Sequence, residues 1–120
     1  MRIALLFLAA CGPFRVYEGP RMEPSEVAHV TIEGGLISKK ERFDAELIEF
    51  DGVNPRRKHT EFEILPGEHT LTIRWIHYIL ENEEATGVLP MTFELRAGYR
   101  YTLFWVGGDS PLRFRERPYQ

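Results

Sequence analysis

Few residues of this 120-residue chain combine the residue type and the spacing that catalysis requires. Its only serines are Ser25, Ser38 and Ser110, and none lies in a Gly-x-Ser-x-Gly turn of the kind that exposes a serine nucleophile. The sequence also lacks a Walker loop and a Gly-x-Gly-x-x-Gly loop that would hold a phosphate. We therefore predict that the protein is not an enzyme and has no cofactor. A weak enzyme, the alternative, would need a pocket lined by residues such as His29, His59 and Asp51.

Four histidines raise the question of a metal site. His69 and His77 lie eight positions apart on one predicted strand, which separates them by about 27 Å at roughly 3.3 Å per residue, too far to share an ion. If a hairpin turns at Pro66-Gly67, His59 lies opposite Arg74 and is no better placed. We predict no metal site, and we expect His69 to bond a backbone group near the turn and His77 to cap its strand.

The only cysteine, Cys11, ends an apolar run that begins at Ile3 behind the basic start Met1-Arg2. The segment Leu8-Ala9-Ala10-Cys11 resembles the lipobox of a bacterial lipoprotein signal peptide. That resemblance implies cleavage between Ala10 and Cys11, a diacylglycerol thioether on the Cys11 sulfur, and acylation of the new amino terminus, for instance with palmitate. The run is far shorter than the roughly 20 apolar residues of a membrane-spanning helix and fits a signal-peptide core. The alternative is an apolar strand or helix of a cytosolic domain that buries a free cysteine.

The lipobox resemblance divides the chain into a signal peptide at 1–10, an extended tether at 11–25 and a domain at 26–120. Glycine and proline recur from Gly12 to Pro24, so we expect this leader to pin itself only intermittently to the domain and to reach about 40 Å when extended, at roughly 3.3 Å per residue. Gly12 stands where an aspartate retains many lipoproteins in the inner membrane. The resemblance therefore implies an outer-membrane location that faces the periplasm.

The net charge bears on the class of partner, and the length bears on the number of domains. The chain has 15 basic and 18 acidic residues, a formal net charge of -3, and loss of Arg2 with the signal peptide would make it more negative. A nucleic-acid partner is therefore not expected. The length is typical of one domain with a single core.

Residues of alternating polarity predict short β-strands throughout the domain. The clearest strand is Thr70 to Ile79, and Thr60 to Leu65 precedes it across Pro66-Gly67, which we expect to close an antiparallel hairpin. Ala97-Gly98 predicts a second hairpin, between Met91 to Leu95 and Tyr99 to Val106. Further strands are predicted at Val27 to Ile32, Glu46 to Phe50 and Leu112 to Arg115, and a loop tip or single helical turn at Asn82 to Thr86. The predicted fold is an all-β antiparallel sandwich, immunoglobulin-like or transthyretin-like, of six to eight strands.

Several of these segments, in this order, resemble a group of small bacterial lipoproteins and envelope proteins. They are Val27 to Val30, Glu49 to Gly52, Leu65 to Ile73 and Leu95 to Tyr101. The stretch Pro66 to Leu71 is also similar to the hairpins of PEGA-type and transthyretin-like β-sandwich modules. The resemblance spans about residues 26 to 106 and implies a lipid-anchored sandwich without assigned chemistry.

Aromatic and arginine side chains are the best candidates for binding. Aromatic residues concentrate in the two longest predicted strands, and those that point outward would form a stacking surface; the candidates are Tyr78, Tyr99, Tyr101 and Trp105. Core packing is the usual alternative for such residues. Three arginines alternate around Phe114 and would contact an anionic headgroup or a carboxylate, or else protect an edge strand from aggregation; they are Arg113, Arg115 and Arg117.

Two functions follow as hypotheses. The first is a non-catalytic interaction or scaffold module, held at the membrane through Cys11, that binds another envelope protein through a sheet edge or an aromatic face. The second is a lipoprotein that binds peptidoglycan or another glycan through exposed aromatic side chains.

Overall fold

The computed structural model describes residues 14–55, 59–105 and 112–119. These residues form nine strands and one short 3-10 turn, and no helix among them is long and apolar enough to span a membrane. The predicted all-β class is therefore confirmed, with one strand more than the upper limit of the expected six to eight. The strands are β1 (Phe14–Arg15), β2 (Ala28–Ile32), β3 (Gly35–Leu36), β4 (Glu41–Phe50), β5 (Glu61–Ile64), β6 (Gly67–Ile79), β7 (Asn82–Leu95), β8 (Tyr99–Trp105) and β9 (Leu112–Pro118), and the turn is Pro24–Glu26.

The strands form two sheets, one of five strands in the order β1-β5-β2-β8-β9 and one of four in the order β3-β4-β6-β7. The five-stranded sheet is mixed, because β1 pairs with β5 and β2 pairs with β8 in parallel. The other strand pairs are antiparallel. A wholly antiparallel sandwich was expected, and the two parallel pairs are the difference.

A single apolar core lies between the two sheets. Strand periodicity points alternate side chains inward, and the inward residues of both sheets are almost all apolar. The largest side chains that are completely buried are Tyr101, Phe43 and Phe62. The core residues are Ala28, Val30, Ile32, Phe43, Ala45, Leu47, Phe62, Ile64, Leu71, Ile73, Phe93, Leu95, Tyr101, Leu103 and Leu112.

The prediction of a hairpin at Pro66-Gly67 is wrong. β5 lies in the five-stranded sheet and β6 in the four-stranded sheet, so the chain crosses from one sheet to the other at this point. The apolar side of β5 therefore faces the apolar side of β6 across the core, instead of lying beside it in one sheet. The bend is sharp in either arrangement, and Gly67 supplies it with a φ of +126° that an L-residue side chain would disfavour.

The prediction of a hairpin at Ala97-Gly98 is also wrong, because the chain again crosses between the two sheets. β7 ends in the four-stranded sheet, and β8 begins in the five-stranded one. There, β8 pairs with β2 and β9. Gly98 has a φ of +78°, and its N–H donates to the carbonyl of Val27 at 2.9 Å, which ties this crossing to the start of β2.

The long hairpin of the molecule is formed by β6 and β7. Residues Asn82 to Thr86, predicted as a loop tip, belong to β7, and the turn is the two-residue segment Leu80-Glu81. Both turn residues have positive φ, +52° for Leu80 and +71° for Glu81. This is the pattern of a type I′ turn, for which Asn-Gly is the favoured sequence. The sequence contains no glycine, proline or asparagine at this turn, and the hairpin was therefore missed.

Replacing Leu80-Glu81 by Asn-Gly should stabilise the protein. Because a left-handed conformation disfavours residues with a bulky side chain, we expect the free energy of unfolding of Leu80→Asn/Glu81→Gly to rise by about 1 kcal/mol in urea titrations. Leu36→Asn is the control, because Leu36 is also exposed and is not among the residues of positive φ. Equal or lower stability of the turn variant would contradict the prediction.

Candidate functional site

The residues of the predicted lipidation and cleavage site, Ala10 and Cys11, lie outside the described residues. The histidines, the candidate aromatic residues and the three arginines around Phe114 lie within them, and the structure distributes them over both sheets.

Tyr101 is a core residue and offers no binding surface. Its side chain is 2% exposed. Its hydroxyl donates to the Glu116 carboxylate and accepts the N–H of Arg96 at 2.8 Å. Burial and the bond to Glu116 raise the pKa of the Tyr101 hydroxyl, while the bonds from Tyr101 and Arg96 lower the pKa of Glu116. Tyr101 was a candidate binding residue, and the inward side of β8 explains why it is buried.

The other three aromatic candidates do not form one surface. Tyr99 and Trp105 share the inward side of β8 with Tyr101, and both pack against the core. Trp105 lies 5.4 Å from Phe43 between ring centroids. Tyr78 belongs to β6 in the opposite sheet. Arginines also cover one ring face of two candidates, with the Arg96 guanidinium 4.0 Å from the Tyr99 ring and that of Arg42 4.1 Å from the Tyr78 ring. A shared stacking platform of these four side chains is therefore not formed.

His69 joins two turns. Its Nε2 donates to the Leu65 carbonyl at 2.7 Å, the backbone contact expected from the sequence, and its Nδ1 lies 2.5 Å from Asp51 Oδ2. Asp51 Oδ1 also accepts the N–H of Thr70 at 2.8 Å. Desolvation raises the pKa of Asp51, but the bonds from His69 and Thr70 outweigh it, so this pKa lies below its ordinary value. These contacts fix the turn after β4 to the crossing before β6.

His59 and His77 have structural contacts in separate places. The His59 ring stacks on Phe14 at 3.6 Å, and its carbonyl accepts the N–H of Leu47. His59 does not lie opposite Arg74, because the predicted hairpin does not form. His77 Nε2 lies 3.1 Å from Glu41 Oε2 on the neighbouring strand. Among the described residues, no group of three or more histidine, cysteine, aspartate or glutamate side chains could hold a metal ion.

Two polar side chains, His29 and Glu63, are buried on the outer side of the five-stranded sheet. They are cross-strand neighbours, 7% and 6% exposed. The segment before β2 covers them: Arg21 Nη1 donates to Glu63 Oε1 at 2.9 Å, and His29 Nε2 donates to the Pro24 carbonyl at 2.9 Å. The burial of His29 and Glu63 depends on this cover, and strand periodicity alone does not predict it.

Tyr119, which follows β9, completes the cover and borders a polar depression of about 250 Å³. Its ring stacks on His29 at 3.8 Å. The described residues that line the depression include neither serine nor cysteine, but they offer donors and acceptors that can bind a small polar group. The polar lining comprises His29, Thr31, Glu33, Glu61, Glu63, Arg100, Thr102 and Tyr119.

Four exposed arginines extend from this depression across β8 and β9. Strand alternation places three of them on the outer side of β9, and the fourth, Arg100, lies on β8 directly opposite Arg117. Like charges in directly opposed positions destabilise a sheet unless an anion compensates them. We call this surface the arginine face; it consists of Arg100, Arg113, Arg115 and Arg117.

The arginine face lacks carboxylate partners among the described residues, as does Arg15, which donates to the Gly19 carbonyl instead. Within the described ranges, Arg21, Arg42, Arg74 and Arg96 each form an ion pair with an acidic side chain. None of the four residues of the arginine face forms such a pair within the part of the chain that the structure describes. Two of them lie over aromatic rings: the Arg115 guanidinium is 5.0 Å from the centre of the Phe104 ring, and that of Arg100 is 5.0 Å from the centre of the Tyr119 ring.

Protection of an edge strand does not account for the whole arginine face. β9 is an edge strand, and charged side chains on such a strand oppose aggregation. Arg100, however, lies on β8, which has a neighbour on each side. Sequence alternation identified the three arginines of β9 but missed Arg100, because its place depends on the register between β8 and β9.

Comparison with protein-family models, with curated proteins and with solved structures gives no match.

The pair Arg21–Glu63 should stabilise the cover over the depression. Arg21→Met leaves the buried Glu63 carboxylate without its 2.9 Å ion pair, and we expect it to lower the free energy of unfolding by about 2 kcal/mol. Glu63→Gln in the same chain should recover part of this loss, which a double-mutant cycle in urea measures. Additive effects of the two substitutions would show that the pair is not coupled.

Proposed function

We propose that this protein is a non-catalytic interaction module of the bacterial envelope, anchored by lipid at Cys11, that binds an acidic surface of another envelope protein through its arginine face. The observation that carries the proposal is a cluster of four exposed arginines that have no carboxylate partner among the described residues, in a chain of net charge -3. An acidic chain that keeps a cationic surface unpaired has positive potential available for a partner there.

The geometry of the arginine face fits a protein partner with several carboxylates. The three arginines of β9 are spaced two residues apart, so the Cα atoms of neighbouring arginines lie about 7 Å from each other. They are Arg113, Arg115 and Arg117. Arg100 adds a second row about 5 Å away across the strand pair. A guanidinium binds a carboxylate through two parallel hydrogen bonds, which gives such a contact orientation as well as attraction.

The edge position of β9 supports the same proposal. An edge strand has unpaired backbone groups on one side, to which a strand of a partner can add. The arginines of β9 would select an acidic strand and repel a second copy of themselves. The polar depression beside Arg100 is continuous with this surface through that residue.

The proposed anchor rests on the resemblance of Leu8 to Cys11 to a lipobox, and the proposed location is the outer membrane, on the periplasmic side. Two or three acyl chains hold a protein stably on a bilayer. Anchoring confines the module and an envelope partner to the same region, so a charge-based contact of modest affinity is sufficient for binding.

Lipidation is tested by the intact mass and the membrane fractionation of the full-length chain beside Cys11→Ala. We expect the native chain to lose residues 1–10, to gain acyl mass and to sediment with membranes. The substituted chain should do none of these, because the sulfur is the site of attachment. A soluble native chain that keeps Met1 would contradict the anchor.

Partner binding is tested by a photo-crosslinking phenylalanine analogue at Phe104, which lies under Arg115. We expect a discrete crosslinked envelope protein, and we expect Arg113→Gln/Arg117→Gln to reduce its yield roughly tenfold or more, because two charge-assisted contacts are lost. Arg42→Gln/Arg74→Gln removes the same charge from the four-stranded sheet and should leave the yield unchanged. Equal yields in the two double variants, or crosslinking to lipid alone, would contradict the proposal.

A further inference from the structure

The polar depression on the outer side of the five-stranded sheet is bordered by acidic side chains and by a basic one that do not pair with each other. The Glu33 and Glu61 carboxylates form no ion pair or hydrogen bond with the described residues. Arg100 has no carboxylate partner within the same part of the chain. A small cavity bordered by unpaired charges of both signs is complementary to a ligand that itself carries both charges.

The strand register separates the acidic side chains from the basic one. Glu61 on β5 lies directly opposite Thr31 on β2, and Thr31 lies directly beside Thr102 on β8. Arg100 precedes Thr102 by two residues, so both are on the outer side of β8. Glu33 follows β2 directly, two residues after Thr31. The acids are therefore on the side of β5 and β2, the base is on the side of β8, and the two threonines lie between them.

The two threonines offer hydroxyl groups at the centre of this arrangement. Thr31 and Thr102 both line the depression, and neither hydroxyl has a hydrogen-bond partner among the described residues. Neighbouring strands are about 4.8 Å apart, so one small molecule can contact both side chains. A hydroxyl donates as well as accepts, so each threonine can bind a charged group of either sign.

The remaining polar side chains of the depression support it and are already paired. Arg21 pairs with the buried Glu63 carboxylate, and the Tyr119 ring stacks on His29 at 3.8 Å. The Arg100 guanidinium lies 5.0 Å from the centre of the Tyr119 ring. A ring that is itself held by His29 thus keeps this guanidinium at the border of the depression.

We propose that the depression binds an α-amino acid in its zwitterionic form. The ammonium group has three N–H donors, which match the carboxylates of Glu33 and Glu61 and the hydroxyl of Thr31. The carboxylate of the ligand accepts from the Arg100 guanidinium and from the Thr102 hydroxyl. The volume of about 250 Å³ is smaller than the roughly 300–1,000 Å³ of sites for drug-sized ligands, and it fits a ligand of this size.

This site goes beyond the proposed function and depends neither on the anchor nor on a partner protein. It shares Arg100 with the arginine face but uses none of the arginines of β9. Arg100 lies directly opposite Arg117, and the carboxylate of a bound amino acid would reduce the repulsion between these two like charges. Failure to bind an amino acid leaves the proposed function standing, and failure of the crosslinking experiment leaves this site standing.

An NMR titration of the full chain tests the site. The isotope-labelled protein in detergent micelles is titrated with glycine, with N-acetylglycine, which lacks the ammonium group, and with glycinamide, which lacks the carboxylate. We expect glycine to shift the backbone amide signals of Thr31 and Thr102 to saturation with a Kd of about 1 mM. Each analogue should bind roughly tenfold more weakly or worse, because it leaves one part of the site unpaired.

Substitutions assign each charged group of the ligand to a side chain. Arg100→Gln should weaken glycine about tenfold without weakening glycinamide, which has no carboxylate to lose a contact. Glu61→Gln should weaken glycine by about the same factor without weakening N-acetylglycine, which has no ammonium group. Arg113→Gln and Glu94→Gln are the matched controls, because they remove the same charges from exposed positions outside the depression. Both should bind glycine as the native chain does.

Three results would overturn the proposal. The first is the absence of a saturable shift at Thr31 and Thr102 up to about 50 mM glycine. The second is equal affinity for glycine and for either analogue, which would show that one of the two charged groups is not recognised. The third is an equal loss of affinity in the control variants, which would assign the effect to the overall charge of the chain.

Discussion

The packing of alternate apolar side chains across the two sheets is the interaction on which the rest of the molecule depends. Each sheet is apolar on one side only, so β2, β5 and β8 must face β4, β6 and β7 to remove their inward residues from water. Once Ala28, Val30 and Tyr101 point inward, strand geometry turns His29 and Arg100 outward. The outward residues of these strands thus form the polar depression and the arginine face, and the inward residues of the same strands form the core.

This alternation is also the part of the structure that the sequence predicts well. It located β2, β6 and β8 and the inward side of β6, because a period of two is written in the residues themselves. Pairing partners were predicted poorly. Pro66-Gly67 and Ala97-Gly98 bend the chain sharply, and the same local bend serves a hairpin within one sheet or a crossing between two. Only the burial of both apolar sides decides between them, and burial is a property of the whole fold.

The candidate site was likewise predictable only where local alternation determines the position of a residue. The spacing of Arg113, Arg115 and Arg117 placed them on one side of a strand from sequence alone. Arg100 joins them through a register between segments that local pattern does not specify, and Glu63 is buried by contacts with Arg21 from a leader expected to be largely free.

The parallel pairing of β2 with β8 has a consequence for when the molecule can fold. It joins His29 to Arg100, residues 71 positions apart, at the centre of the five-stranded sheet. Loop-closure entropy makes such a contact slow to form, and β-rich folds dominated by distant pairings are slow among small domains. The sheet therefore cannot be completed until nearly the whole chain is available. In a chain that crosses a membrane in the unfolded state, as the proposed signal peptide requires, this order of events delays folding until export is almost finished.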